Sequence, residues 1–238
     1  LILYVNGDSH TAGAEAVNHH CFAEDDELYR GLGRQPHPDN LYVSYATLLA
    51  NSQGVLLDCA AESGASNERI LRTTKEYLRE KQKPLGILIG WSTWERVEYL
   101  YEGTYYQFSA GGVGRDWPPA VQDYYKQWVL NTDVNNKAVH WHNQIFDLHL
   151  ELQDQKIPHL FFNTFSAFNH DTIDRRDWAN SYIDPYNHDG TYYYWLKSQG
   201  FQTVNPNSYH FGPDAHRAWA EFLDPHLTNI LNESIIVK

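Results

Sequence analysis

Four short apolar runs, at residues 2–5, 55–59, 85–89 and 159–162, are each bounded by glycine, proline or polar residues. Runs this short without polar alternation predict strands buried on both faces, as in a parallel sheet covered by helices. Between them the spacing becomes helical. Leu41, Tyr45, Leu48 and Leu49 predict a helix over 41–50, and Ile70, Leu71, Tyr77 and Leu78 one over 67–81, closed by Pro84. Two more helices are predicted over 121–130 and 137–152. Pro213 opens a last helix with Ala215, Ala218, Trp219, Phe222 and Leu223 on one face. A short fifth strand is predicted near 201–204. The alternation implies an α/β fold: a three-layer α/β/α domain spanning 1–238, with a parallel five-stranded sheet and a long insert after the third strand.

Right-handed crossovers put the carboxyl ends of all parallel strands on one edge, where ligands bind in open α/β sheets. The turns after the first three strands should therefore share a rim: Ser9, the 62–67 segment and the 90–93 segment. The first of these turns is Gly7-Asp8-Ser9-His10. A small residue, an acid and a serine let the chain turn sharply towards a helix and leave the serine amide free at its N-terminus. The same residue types also crowd ordinary strand-ending turns, so Ser9 could equally cap the first helix.

Composition narrows the field. The 238 residues are 42% hydrophobic and 20% charged, which suits one globular domain with a substantial core. A net charge of −12 argues against nucleic acid or an anionic membrane as the main partner. No apolar run approaches the ~20 residues that span a bilayer. Cys21 and Cys59 are too few for a disulfide framework, and no basic-then-apolar leader precedes the first strand, so the compartment stays open.

Other segments add candidate chemistry. The second strand leads into Glu62-Ser63-Gly64-Ala65-Ser66-Asn67, where Gly64 would let a backbone N–H approach the serine and Asn67 offers a side-chain donor. The third leads into Gly90-Trp91-Ser92-Thr93-Trp94-Glu95-Arg96. Before the last helix comes Asn207-Ser208-Tyr209-His210, with His216 close behind. A late histidine in such a loop can reach over the rim and serve as general base for a hydroxyl.

In the order of these blocks the chain resembles the SGNH (GDSL-type) hydrolase family, whose fold is the flavodoxin-like three-layer arrangement. Gly7-Asp8-Ser9-His10 looks like its nucleophile block and Ser63–Asn67 like its glycine block, while Gly90–Thr93 sits where its Gly-x-Asn-Asp block belongs. Asn207–His210 occupies its Asp-x-x-His position, and His216 its small-residue-plus-His/Tyr position. The resemblance implies a serine esterase of small acyl (acetyl) groups, with Ser9 as nucleophile, His210 as base and no cofactor. The Ser9 and Gly64 amides would bind the oxyanion. Two positions depart from the pattern. Ser92 stands in place of the asparagine donor, and Ser92 or Asn67 would have to supply the third arm. Asn207 replaces the aspartate that orients the histidine; an amide can hold a ring but cannot balance imidazolium charge. Asp214 and Asp189 are the acids near in sequence, and a backbone carbonyl could also orient the ring.

Those departures sustain a second reading, a catalytically inactive domain of this fold serving as a binding or structural component of an assembly. A nucleotide-binding domain of similar architecture would need a phosphate-cradling loop. Gly111-Gly112-Val113-Gly114 does not follow a strand and does not supply one. Trp91, Trp94, Tyr99, Tyr101, Tyr105, Tyr106 and Trp117 crowd the insert. Core packing should claim about half of them; the rest are expected to form a substrate wall for an O-acylated carbohydrate, with Trp91, Trp94 and Arg96 as the substrate-binding residues. Glu95, Arg96 and Glu98 could instead be solvated surface charges. No metal site is expected: His140 and His142 point to opposite sides of a helix, and His19-His20-Cys21 lacks a second ligand pair. Asn232-Glu233-Ser234 fits the glycosylation triplet, a pattern that chance produces easily.

Overall fold

A computed structural model describes residues 1–19, 36–109, 117–169 and 171–236. The glycine-rich segment at 111–114 and the His20-Cys21 pair lie outside the described residues. Within them, β1 (Ile2–Asn6), β2 (Leu56–Cys59), β3 (Gly86–Trp91) and β6 (His159–Asn163) form a parallel sheet in the order β2-β1-β3-β6. Two further strands, β4 (Val97–Tyr101) and β5 (Thr104–Phe108), pair antiparallel in the insert. The helices are α1 (Pro38–Val43), α2 (Tyr45–Ser52), α3 (Asn67–Glu80), α4 (Pro119–Asn131), α5 (Val134–Asp154), α6 (Tyr192–Ser198) and α7 (Pro213–Ile236).

Alternation along the strands divides the core into two layers. Leu3, Val5, Leu88, Leu160 and Phe162 pack with Tyr45 of α2, Leu196 of α6 and Trp219 of α7. Tyr4, Ile87, Ile89 and Phe161 face the other way, onto Ile70 of α3 and Trp141, Ile145 and Leu148 of α5. β3 and β6 are buried along their whole length, which is why they read as unbroken apolar runs.

Three expectations change. The helix expected over 41–50 is two helices: Ser44 is extended (ψ 153°), ends α1, and its hydroxyl accepts from Thr47 N–H to cap α2. No helix follows Ser9 directly. The chain makes a single helical turn there (Ala12 N–H to Asp8 O, 3.0 Å) and breaks at Gly13, where a Cβ would lie 2.7 Å from Asn40 O. The fifth strand does not form at 201–204. That segment folds back on its own loop through a lone Thr203–Phe211 bridge, with Val204 N–H on His210 O at 2.9 Å. The free edge of β6 is instead met by Ser181–Ile183: Phe161 N–H reaches Ser181 O at 2.8 Å and Ile183 N–H reaches Phe161 O at 2.9 Å. The short return loop thus fixes the backbone of His210 rather than extending the sheet.

Candidate active site

The strand ends do converge. Asp8, Ser9, His10, Ser63, Gly64, Thr93, Glu95, Arg96, Ser109, Phe165, Tyr209 and His210 line one cleft of about 620 Å³ at the carboxyl edge of the sheet. Its floor begins at Gly7, where β1 passes so close to its neighbours that a Cβ would lie 2.1 Å from Thr11 Oγ1 and 2.9 Å from Gly90 O. Only glycine lets the chain turn here and present Ser9. Gly64 has a different reason to be glycine: its φ of +82° is left-handed, while the space beside it is open.

Ser9 is 4% exposed, and its hydroxyl makes no hydrogen bond to a described residue. The N–H groups of Ser9 and Gly64 are likewise without an acceptor among the described residues. An unpaired N–H at a buried residue such as Ser9 is rare, because buried backbone donors are nearly always satisfied, whereas that of the exposed Gly64 is simply open to solvent in the cleft. Two such donors in the cleft that also holds an uncommitted hydroxyl are groups of the kind that can receive an oxyanion.

Beneath this floor Asp8, Ser92, Arg96 and Thr164 are paired with one another. Asp8 is 1% exposed, and its Oδ2 receives the Ser92 hydroxyl at 2.9 Å, Arg96 Nη1 at 3.1 Å and the Thr164 hydroxyl at 3.3 Å. Its Oδ1 receives His10 N–H at 3.0 Å. Burial works against ionisation of Asp8, but the neighbouring imidazole and guanidinium and these donors hold its carboxyl below the usual range. Ser92 also accepts from Arg96 Nη1 at 2.9 Å. Asn67 grips the Ser92 backbone at two points, Oδ1 to N–H at 2.8 Å and Nδ2 to O at 3.1 Å. Ser92 and Asn67, the two residues from which a third oxyanion donor was expected, are fully buried, and their side chains are spent on this network.

His210 lines the same cleft, its ring centroid 5.3 Å from that of His10. Its Nδ1 lies 2.5 Å from Glu15 Oε2, and the Ser208 hydroxyl donates to the same carboxylate oxygen at 2.5 Å. Asn207 is not at the ring: it is exposed, and its backbone N–H donates to Asn205 Oδ1 at 2.9 Å. Asp189 is in a separate turn, paired with His188, and Asp214 pairs with Arg217. Glu15 went unnoticed in the sequence because it lies 195 positions from His210, and no spacing rule links the two. Its closeness to Ser9 along the chain was the one available signal.

The aromatic expectation also changes. Trp91 (0% exposed) and Trp94 (3%) belong to the core, Trp94 stacked on Phe168 at 4.5 Å. Tyr99, Tyr101, Tyr106 and Trp117 pack around Phe108 and Val121 between the β4–β5 pair and α4. The rings that do face the cleft are Phe165 and Tyr209, from the loops after β6 and before α7. Arg96 lines the cleft, anchored on Asp8. His10, also on the cleft wall, is 4% exposed; burial, with the nearby charges of His210 and Arg96, lowers its pKa to about 4 against the pull of Asp8. His216 is buried against Tyr45, whose N–H donates to its Nδ1 at 3.4 Å. Burial pushes His216 down to about 3. Among the described residues no group of three or more metal-ligating side chains occurs, and no helix is long and apolar enough to cross a membrane.

No protein-family model and no curated protein matches the chain. Among solved structures it is similar to a protein described as lipolytic, of the G-D-S-L family, from Desulfitobacterium hafniense DCB-2, at 12% identity, with 94% of this chain and 98% of that one covered and a TM-score of 0.48. An acetyl xylan esterase from the rumen bacterium Butyrivibrio proteoclasticus aligns at 13% identity over 97% of this chain, with a TM-score of 0.44. A family two carbohydrate esterase from Clostridium thermocellum, in complex with cellohexaose, aligns at 13% identity over 97% of this chain, with a TM-score of 0.45. This chain spans 64% of the length of each of these last two. Likeness of this degree assigns no activity, and a functional reading has to stand on the cleft itself.

Proposed function

We propose that the protein is a serine esterase that removes a small acyl group, such as acetyl, from a hydroxylated alcohol such as a carbohydrate. The observation that carries this reading is the meeting of an unbonded serine hydroxyl, two unpaired N–H groups and an imidazole in one cleft. Ser9 Oγ attacks the ester carbonyl carbon and gives its proton to His210. Because Nδ1 of that ring is occupied by Glu15, Nε2 is the nitrogen left to take it. The carbonyl oxygen, now negative, rests on the Ser9 and Gly64 N–H groups. Collapse of this intermediate breaks the ester C–O bond, and the alcohol leaves with the proton from His210. Water, deprotonated by the same ring, then attacks the acyl-serine; the carboxylic acid departs and Ser9 recovers its proton. No cofactor takes part in these steps.

The substrate class is read from the walls. Among the lining residues, Ser63, Thr93, Glu95, Arg96 and Ser109 bring donors and acceptors suited to sugar hydroxyls, and Phe165 and Tyr209 bring apolar ring surface. The chain's negative charge makes nucleic acid and anionic membranes poor partners. One observation favours the second reading, an inactive domain of the same fold: the Ser92 hydroxyl is bonded to Asp8 and offers no third donor. Hydrolysis of p-nitrophenyl acetate, with labelling of Ser9 by a fluorophosphonate, decides between them. Ser9→Ala is expected to cut kcat by on the order of 10⁴-fold or more. Unchanged turnover in that variant would end the mechanism, and absence of both turnover and labelling in the native chain would leave the inactive reading.

A further inference from the structure

In the pattern that the sequence resembles, the acid that orients the base sits three residues before the histidine, and here that position is Asn207. The position does not serve the ring: Asn207 is exposed and its side chain makes no hydrogen bond among the described residues. A carboxylate reaches the ring from the other end of the chain. Glu15 Oε2 lies 2.5 Å from His210 Nδ1, with the two side chains 24% and 18% exposed. Ser208 completes the arrangement. Its hydroxyl donates to Glu15 Oε2 at 2.5 Å and accepts from His210 N–H at 3.1 Å, so it ties the carboxylate to the backbone that carries the ring.

Resting on the esterase reading, we infer that Glu15 is the residue that positions His210, replacing the absent aspartate from within the nucleophile's own loop. Three physical points support this. A carboxylate facing Nδ1 accepts a hydrogen bond only from the tautomer with the proton on Nδ1, which leaves the Nε2 lone pair free to act as base. The carboxylate is also charged, so it balances the imidazolium that forms when Ser9 gives up its proton, which an amide at position 207 could not do. And Glu15 has a left-handed backbone (φ 61°), a conformation that residues with a side chain adopt seldom and that tends to accumulate at functional sites. Partial burial works against its ionisation, yet the hydrogen bonds from His210 and Ser208 hold its carboxyl below the ordinary range.

The arrangement differs from an ordinary surface ion pair in what it joins. Glu15 is six residues beyond Ser9, and the intervening turn is closed by Ala14 N–H on Ser9 O at 2.9 Å. One short, internally bonded segment therefore carries the nucleophile at one end and the ring's anchor at the other. The return loop at Thr203–Phe211 holds the backbone of His210 from behind. Nucleophile and base are thus registered to each other directly, not through the sheet.

The test uses the whole chain and two measurements. In Glu15→Gln, which preserves size and removes charge, kcat for p-nitrophenyl acetate is expected to fall by about 10² to 10⁴-fold. KM should stay within about twofold, since a positioning residue does not touch the substrate. Glu15→Asp, which retains the charge on a shorter arm, should recover a substantial part of the loss. Independently of turnover, proton NMR of the native protein should contain a strongly downfield imidazole N–H resonance that vanishes in Glu15→Gln and in His210→Ala but persists in Ser9→Ala. Thermal melting checks that each variant is folded. Full activity in folded Glu15→Gln while Ser9→Ala is dead would overturn this inference and leave the esterase reading standing. A downfield proton that obeys the pattern in a protein with no esterase activity would do the reverse. If Glu15→Gln does not fold, the Glu15→Asp kinetics and the native and Ser9→Ala spectra still decide: equal loss in Asp and no downfield proton would overturn the inference.

Discussion

Asp8 and Glu15 belong to the same loop after β1, and their surroundings have little in common. Asp8 is 1% exposed and takes hydrogen bonds from Ser92, Arg96, Thr164 and the His10 backbone. Glu15 is partly exposed and takes two, from His210 and Ser208. A carboxylate saturated with donors in the interior is a fixed structural charge that pins three loops together below Ser9. One with a single imidazole at a cleft edge remains free to respond when that imidazole gains a proton. The floor beneath the cleft is therefore built for rigidity, and on the mechanism proposed above its mouth would carry the proton traffic. Side chains that motif spacing would assign to chemistry, Ser92 and Asn67, have gone to the first task. On the mechanism proposed above, stabilising the oxyanion falls to the main-chain N–H groups of Ser9 and Gly64.

Acid should break the buried region by the widest margin. Burial lowers His10, His142 and His159 to about 4 and His216 to about 3. Their folded values lie below those of the unfolded chain, so the unfolded state binds more protons once pH drops under about 6.5. The stability these neutral rings contribute is complete above that pH and is lost as pH falls towards 4. Each contributes a slope of about 1.4 kcal/mol per pH unit. The mechanism is visible at His159: its Nδ1 proton goes to Ile157 O at 2.8 Å, so its Nε2 must accept from His149 Nδ1 at 2.8 Å. An added proton sets N–H against N–H. Urea midpoints measured from pH 7.5 to 4.5 should fall steeply below 6.5; midpoints that stay flat over this range would contradict the account.

How much of this was legible in the sequence follows the same division. Strands buried on both faces announce themselves as apolar runs, so β1, β2, β3 and β6 were readable, as was the rim to which they deliver Ser9, Gly64 and Arg96. The β4–β5 pair was not. Its aromatics pack against α4 rather than the sheet, so their clustering resembled a binding wall. Trp91 and Trp94 misled for a related reason: they sit next to cleft residues in sequence, but the alternation at the end of β3 sends the Trp91 ring into the core, and Trp94, in the turn beyond the strand, stacks there on Phe168. Glu15 is the deepest miss. Motif reading looks for an acid near the histidine, while pairing across the molecule is decided by where loops end.

The middle-sized effect sharpens the role of the floor. Ser92→Ala removes a hydroxyl that donates to Asp8 and accepts from Arg96. Hydrogen bonds to charged groups contribute about 1.5–3 kcal/mol, so the variant should lose stability in that range by chemical denaturation. Its kcat should drop by less than about tenfold, because the hydroxyl is spent on Asp8. A lost oxyanion donor would cost about 10²–10³-fold. A kcat loss of that size with unchanged stability would put the Ser92 hydroxyl in the cleft and erase the contrast between floor and mouth.

Asn207→Asp should do the least, and it bears most directly on the comparison. The substitution restores the acid at the position where the resembled pattern carries one, so a purely motif-based account expects higher activity. Geometry says otherwise. Position 207 is exposed, its backbone is held by Asn205 Oδ1 at 2.9 Å, and Nδ1 of His210 is already engaged by Glu15 at 2.5 Å. A carboxylate at 207 would sit in water, where screening leaves it little hold on the ring. Stability should change by no more than about 0.5 kcal/mol, as for most surface substitutions, and kcat should stay within about twofold. Combined with Glu15→Gln, the change should recover none of the lost rate. Recovery in that double variant, read as kcat for p-nitrophenyl acetate, would mean the loop swings far enough to bring position 207 to the ring, and Glu15 would then be one of two interchangeable anchors rather than the one that the fold has selected.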